Sequence, residues 1–182
     1  MIGALLAGGA GRRIGGGKPA RVLAGRPLAS YPAAALAAVC ERVAIVAKPG
    51  EELPALPGVE VWDDEPAEPR HPLTGIVHAL ERAGGEPVLV CAADMPFVTP
   101  EALRTLSGSA TTAVAIADGV LQPVLGLYTP DVLPALKAAE PDAPLTRTVE
   151  ALDPAPVPLS AEEVRSIDTP EDLADAELSA EL

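Results

Sequence analysis

MIGALLAGGAGRRIGGGK, residues 1–18, is the stretch of this chain that indicates both its fold and its ligand. Residues 1–6 are apolar and predict a buried strand. Glycine-rich backbone after a strand can approach an anion closely with its N–H groups, and Arg and Lys side chains add positive charge. We therefore predict a loop that binds the phosphates of a nucleotide, with a flexible glycine-rich surface turn as the alternative.

The loop matches neither of two familiar phosphate-binding motifs. A P-loop requires glycine where Arg12 stands and a hydroxyl residue where Pro19 follows the lysine. The dinucleotide fingerprint begins with Gly9 and Gly11 but has Ile14 in place of its third glycine. Because the residue before proline favours extended backbone, we expect the loop to cross its ligand as extended chain.

The distribution of charge supports a small anionic ligand. The net charge of −13 disfavours binding to a nucleic-acid backbone. Residues 1–40 nevertheless carry five basic side chains and no acidic one. A basic patch on an acidic protein attracts a small polyanion while the remainder repels larger ones.

Composition and length suggest one domain, residues 1–182, with enough apolar residues for a core. No apolar run approaches the length that spans a membrane, so we expect no membrane association and a cytoplasmic protein. Cys40 and Cys91 lie in apolar sequence, and we expect both to be buried, reduced thiols.

Strands and helices alternate through about the first 110 residues. Predicted strands cover residues 1–6, 42–47, 59–62 and 87–92, and predicted helices cover 28–39, 73–83 and 100–106. Two further strands, 111–117 and 122–128, flank Asp118-Gly119, which is a hairpin signal. The expected fold is α/β: a three-layer, Rossmann-like, mostly parallel sheet with one antiparallel hairpin.

Four residues mark helix starts in this reading, and one region has no assignment. We expect Pro27 in the first turn of the first helix, and Thr99, Thr129 and Thr169 as N-caps, each followed by proline. The Thr129 helix is expected to reach about residue 139, and Thr169 opens the terminal helix. Residues 140–158 are proline-rich and give no clear pattern.

Ligands of such sheets bind beyond the carboxyl ends of the strands, where three acidic residues are expected. Asp94 follows the most hydrophobic strand, and a carboxylate there is costly unless it is paired or binds a metal. Asp94 with Asp168 could hold Mg²⁺ together with substrate phosphates. The alternatives are a turn cap for Asp94 and a helix cap for Asp168. Asp64 could contact a base or ribose, or form a local turn.

No other catalytic set is visible in the sequence. His71 and His78 lack further metal-ligand residues, so we expect ordinary surface or helix residues, and no Ser-His-Asp arrangement occurs. Glycines, cations and carboxylates suit phosphoryl or nucleotidyl transfer, in which the protein positions groups and neutralises charge.

These residues also resemble a known family. Leu6–Gly9, Arg13–Gly15, Lys18 and Gly25–Leu28 resemble the LAGG-xxx-RMG-xx-K…G-K/R-P-L signature of nucleotidyltransferases with the sugar-nucleotide pyrophosphorylase fold. Within that superfamily the chain is most similar to the molybdenum cofactor guanylyltransferases. The stretches PLTG, CAADMPF and IDTPEDL, at residues 72–75, 91–97 and 167–173, resemble three later motifs of that family.

The resemblance implies that GTP and molybdopterin react to give the guanine dinucleotide and pyrophosphate. It implies no enzyme nucleophile and charge stabilisation by Lys18, Arg13 and Mg²⁺. It also implies transient contact with other cofactor-biosynthesis proteins or with acceptor enzymes. It also implies that Asp94 holds the metal and touches GTP. The other expected GTP contacts are Leu6, Ala7, Gly8, Gly9, Lys18 and Asp64.

The chain departs from the family pattern at several positions. Gly17 replaces a frequent acid, His71 replaces a glycine, and Ser166 and Asp168 replace asparagines. The asparagine after the second strand is absent, so its nucleotide contact is missing or moved to Lys48. The alternatives are a molybdopterin cytidylyltransferase, an enzyme that activates a sugar or alcohol phosphate, or a nucleotide-binding protein that has lost turnover.

Overall fold

A computed structural model describes residues 1–7, 18–140 and 143–180, with the backbone alone at residues 18, 179 and 180. The strands are β1 (Ile2–Leu6), β2 (Val22–Leu23), β3 (Arg26–Pro27), β4 (Arg42–Val46), β5 (Val59–Trp62), β6 (Val88–Ala92), β7 (Ala113–Ala117), β8 (Val120–Tyr128) and β9 (Ala155–Pro158). The α-helices are α1 (Ser30–Ala37), α2 (Pro72–Ala83), α3 (Pro100–Ser107), α4 (Leu133–Ala138), α5 (Leu145–Glu150) and α6 (Pro170–Ala180).

Seven strands form one sheet in the order β5-β4-β1-β6-β8-β7-β9. β1 pairs in parallel with β4 and β6, so that Leu6 lies level with Val46 and Ala92. β8 runs antiparallel to both β6 and β7. The predicted α/β fold with one antiparallel hairpin is therefore confirmed, and the carboxyl ends of β1, β4, β5 and β6 share one edge.

Helices cover both faces of the sheet, which gives three layers. Buried residues of α1 and α3 belong to one apolar cluster, and those of α2, α4 and α5 belong to another. Successive residues of β1 alternate between the clusters, because side chains of a strand point to opposite faces. Burial on both faces explains why the central strands are continuous apolar runs. Within the described ranges, no helix combines the length and apolarity needed to cross a bilayer.

The prediction that Pro27 opens the first helix is wrong. Pro27 lies in β3 and pairs with Val22 of β2 in a small antiparallel hairpin. Ala24 and Gly25 form its two-residue turn with φ values of 46° and 77°. Two consecutive positive φ values are typical of tight hairpin turns. The helix begins three residues later than Pro27, at Ser30.

Two of the three predicted threonine caps are confirmed. Thr99 accepts a hydrogen bond from the Ala102 N–H, and Thr169 accepts one from the Asp172 N–H. The Asp172 carboxylate accepts from the Thr169 N–H in return, as in a capping box. Thr129 is the N-cap residue before Pro130, as predicted, but its hydroxyl caps no N–H and lies 2.7 Å from that of Thr112. A short 3-10 turn and α4 replace the single helix predicted there.

Glycine is required at position 126 of β8, where the backbone of the paired strand β7 comes very close. A Cβ atom at this position would lie 2.7 Å from the Ala113 carbonyl oxygen, which belongs to backbone and cannot yield cheaply. We expect Gly126→Ala to lower the free energy of unfolding by about 1–3 kcal/mol. Urea unfolding measures it, with Gly108→Ala as control, since the nearest atom there is 3.5 Å away. Equal stability of the two variants would contradict the steric argument.

Candidate functional site

A cavity of about 200 Å³ opens at the carboxyl ends of β1 and β6. Its walls come from the strand ends, the first turn of α2, β8 and the segment before α6. Residues of the strand ends that line it are Leu6, Ala7 and residues 92–95. This position matches the rule that ligands of open α/β sheets bind outside the carboxyl ends of the strands.

Described residues on both sides of the glycine-rich stretch lie at this cavity. Ala7 donates its N–H to the Val46 carbonyl at 2.8 Å, which fixes the chain where it leaves β1. The next described residue after Ala7 is Lys18, and Pro19 beside it also lines the cavity. Gly8, Gly9 and Arg13 lie outside the described residues, as does the Lys18 side chain. Both described flanks of the predicted phosphate loop thus meet at one site.

Asp94 lies in the turn after β6 and lines the cavity. The Ala93 N–H donates to the Leu6 carbonyl at 3.0 Å, and the Asp94 carbonyl accepts from the Ile167 N–H at 2.8 Å. These bonds bring the segment around Ile167 beside Asp94. Ser166 lines the same cavity and donates to the exposed Asp168 carboxylate at 2.6 Å. The structure therefore brings the neighbourhood of Asp168 to Asp94, while Asp168 itself is not among the lining residues.

The site offers oxygen donors suited to a magnesium ion. Within the described ranges, no three His, Cys, Asp or Glu side chains form a metal-binding group. Mg²⁺ does not need one, because one or two carboxylates, water and substrate phosphates usually hold it. The Asp94 carboxylate at the cavity, with Ser166 and Asp168 close by along the neighbouring segment, fits that pattern of hard oxygen ligands.

Asp64 is engaged away from the cavity. Its exposed carboxylate lies 3.0 Å from His78 Nε2 and accepts a hydrogen bond from Arg82 at 3.0 Å. Partial burial raises the pKa of Asp64, but hydrogen bonding to His78 and the charge of Arg82 outweigh it and hold the pKa below its usual value. Asp64 is not among the described lining residues, and its contact with a nucleotide stays a prediction.

The two histidines have local roles in α2. His71, expected to be ordinary, is the N-cap and accepts from the Leu73 N–H at 3.3 Å, and it also lines the cavity. His78 is buried and reaches Asp64. Cys40 and Cys91 are free and buried, as predicted. Burial, followed by the charge of Asp94, raises the pKa of Cys91, so this thiol is a poor nucleophile.

A buried ion pair beside the cavity was not predicted. Lys48 follows β4, Glu65 follows β5, and Nζ lies 2.9 Å from Oε1 with side chains only 1% and 3% exposed. The Lys48 ammonium also donates to the carbonyls of Pro66 and Pro69. All three of its N–H groups thus have protein acceptors, which leaves none for the nucleotide contact considered for Lys48.

A mostly parallel sheet, a glycine-rich sequence after its first strand and a cavity with carboxylates at the strand ends are typical of nucleotide-binding α/β proteins. Residues 3–156 match the family model of the MobA-like NTP transferase domain. The chain belongs to that family and is an enzyme of the nucleotidyltransferase class. The resemblance drawn from the motifs is confirmed.

Curated relatives and a solved structure agree with this assignment. A molybdenum cofactor guanylyltransferase of Cereibacter sphaeroides is 36% identical over 134 residues, covering 70% of this chain and 68% of the relative. A probable molybdenum cofactor guanylyltransferase of Deinococcus radiodurans is 36% identical over 140 residues, covering 74% and 70%. Molybdopterin-guanine dinucleotide biosynthesis protein A from Archaeoglobus fulgidus shares the fold, with a TM-score of 0.72, 23% identity and full coverage of both chains.

Proposed function

We propose that this protein transfers GMP from GTP to molybdopterin, giving the guanine dinucleotide cofactor and pyrophosphate in a magnesium-dependent reaction. The observation that carries the proposal is the meeting of Ala7, Pro19 and Asp94 at one cavity. It places both flanks of a phosphate-binding sequence beside a carboxylate that can hold a metal. The names of the relatives supply the substrates.

In this proposal the phosphates of GTP lie along the glycine-rich stretch. The backbone N–H groups of Gly8 and Gly9 would donate hydrogen bonds to them next to Leu6 and Ala7, and Lys18 and Arg13 would supply positive charge. Asp94 would hold Mg²⁺, with Asp168 as a second ligand. When bound, the ion neutralises charge that develops on the α-phosphate and on the leaving pyrophosphate.

The reaction needs no nucleophile from the protein. An oxygen of the terminal phosphate of molybdopterin forms a bond to the α-phosphorus of GTP, and the bond between the α-phosphorus and the bridging oxygen to the β-phosphate breaks. Pyrophosphate leaves with that electron pair. A phosphate is already deprotonated at neutral pH, so the chain's task is to bind, orient and neutralise. Because GTP is a metabolite of the cytoplasm, we place the reaction there.

Nucleotide selectivity tests the proposal. With Mg²⁺ and molybdopterin, GTP is expected to support pyrophosphate release at least about 10-fold faster than CTP, ATP or UTP. Release measured by a coupled phosphate assay should stop when molybdopterin is omitted and when EDTA removes the metal. Preference for CTP would contradict the GTP assignment and favour a molybdopterin cytidylyltransferase.

The same assay covers the remaining alternatives. Release with GTP and a sugar or alcohol phosphate, but not with molybdopterin, would contradict the acceptor. Binding of nucleotide without release under every condition would contradict turnover and indicate a binding protein of this fold. Calorimetric titration with each nucleotide measures binding directly. A folded binding protein without turnover would still bind nucleotide in this experiment, whereas an unfolded preparation would not.

A further inference from the structure

Glu65 lines the cavity from a buried position. Its side chain is only 3% exposed, yet it lines the cavity together with His71, Pro72 and Gly75 from the start of α2. A Cβ atom built on Gly75 would lie 3.7 Å from Glu65 Oε2, so this oxygen sits against the glycine that forms the cavity wall. A buried carboxylate is costly unless it is paired and hydrogen-bonded, so the partners of Glu65 determine which of its oxygens a ligand could use.

The other oxygen of Glu65 is held by the protein. Lys48 Nζ donates to Oε1 at 2.9 Å, and Thr74 Oγ1 lies 2.7 Å from the same atom. Within the described ranges, no residue donates a hydrogen bond to Oε2. The carboxylate is therefore fixed through Oε1, and Oε2 keeps its capacity to accept a hydrogen bond from a bound molecule.

Lys48 acts as the residue that positions Glu65. Its ammonium ties the end of β4 to the loop after β5 through Glu65 and the carbonyls of Pro66 and Pro69 at 2.5 and 3.2 Å. These bonds fix the loop as well as the carboxylate. A recognition group held this rigidly discriminates between ligands better than a mobile one, because little order is lost on binding.

We propose that Glu65 Oε2 accepts a hydrogen bond from the 2-amino group of the bound nucleotide's base and thereby selects guanine. This inference rests on the proposed function, since it concerns the same nucleotide site. Guanine presents neighbouring N1–H and N2–H₂ donors, whereas cytosine places the N3 acceptor beside its amino group. A carboxylate oxygen attracts the first pattern and repels the acceptor in the second. Asp64, although adjacent in sequence, has its carboxylate committed to His78 and Arg82.

Binding of GTP and ITP by calorimetry tests the proposal, because ITP lacks only the 2-amino group. We expect the wild type to bind GTP roughly 10-fold or more tightly than ITP, as for a hydrogen bond to a charged group. Glu65→Gln keeps an acceptor for Lys48 but replaces Oε2 with a donor, so the GTP-to-ITP ratio should fall close to one. Glu68→Gln, on the same loop with a side chain 76% exposed, should keep the wild-type ratio.

A wild type that does not distinguish GTP from ITP, or a folded Glu65→Gln variant with the wild-type ratio, overturns the proposal. Circular dichroism checks folding. If Glu65→Gln alone does not fold, the double variant Lys48→Met/Glu65→Gln removes both buried charges and carries the same test. The calorimetric experiment contains no molybdopterin, so the measured affinities do not depend on whether the protein catalyses the transfer. Failure of GTP and molybdopterin to release pyrophosphate, with the binding ratios as expected, would overturn the proposed reaction alone.

Discussion

Replacing Lys48 with methionine is expected to lower the free energy of unfolding by about 3 kcal/mol or more. The substitution leaves the Glu65 carboxylate buried without its countercharge, and the carbonyls of Pro66 and Pro69 lose their shared donor. Removing one partner of a buried ion pair is costly because the remaining charge has lost both water and its partner. Urea unfolding followed by circular dichroism, and by fluorescence of the single tryptophan, Trp62, measures the change.

Two controls separate this effect from the loss of any lysine. Lys137→Met breaks an exposed ion pair in which Lys137 Nζ lies 2.7 Å from Glu81 Oε1. It should lower the free energy of unfolding by less than about 1 kcal/mol. The double variant Lys48→Met/Glu65→Leu should recover much of the lost stability, since apolar residues can replace a buried pair at little cost. A loss for Lys48→Met no larger than that for Lys137→Met would contradict the buried pair.

The largest effect on activity is expected for Asp94→Asn. Asparagine keeps the shape of the turn but removes the charge proposed to hold Mg²⁺. A lost interaction of this kind in the transition state is worth several kcal/mol, so turnover should fall by about 100-fold or more. Pyrophosphate release at saturating GTP and a series of Mg²⁺ concentrations measures the loss, and circular dichroism should show an intact fold.

Asp131→Asn is the matched control for Asp94→Asn. Asp131 lies in the short turn after β8, an antiparallel strand whose end at Tyr128 is level with Val88 at the start of β6. It is therefore at the sheet edge opposite the cavity, and turnover should be unchanged. Wild-type activity in a folded Asp94→Asn variant would remove the metal role, and an equal loss in both variants would point to a general effect of lost charge.

The central strands could be predicted because the property that identifies them, a continuous run of apolar residues, is visible within each short segment of the sequence. Strands buried on both faces must be apolar throughout, and β1, β4 and β6 were recognised from that property alone. β9 was not predicted because Pro156 and Pro158 disfavour a strand. Proline is tolerated there because β9 lies at the edge, where a missing N–H breaks no ladder between two neighbours. That position depends on the pairing of Val114 with Pro156, which no local pattern reveals.

The part of the candidate site that was predicted is the part that follows the strand ends in the sequence. Asp94 was expected at the cavity because it lies two residues after the end of β6. The Lys48–Glu65 pair was missed because the two residues are brought together by the pairing of β4 with β5 and by the loop that follows. A lysine placed just after the apolar run Val43–Ala47 was the available signal, since a buried lysine requires an acidic partner. Asp64 also follows a strand of the sheet, but its carboxylate does not line the cavity. His78 and Arg82 of α2 bind it instead, and the sequence order does not reveal these contacts.

The central position of β1 has a consequence for synthesis of the protein. This strand is made first, but its partners β4 and β6 follow about 40 and 86 residues later in the register. A growing chain therefore cannot complete the cavity edge until Ala92 has emerged, and Asp94 follows two residues later. Contacts of long sequence separation form slowly because long loops must close first. A chain that ends before Asp94 therefore lacks part of the cavity lining on which the proposed nucleotide site depends.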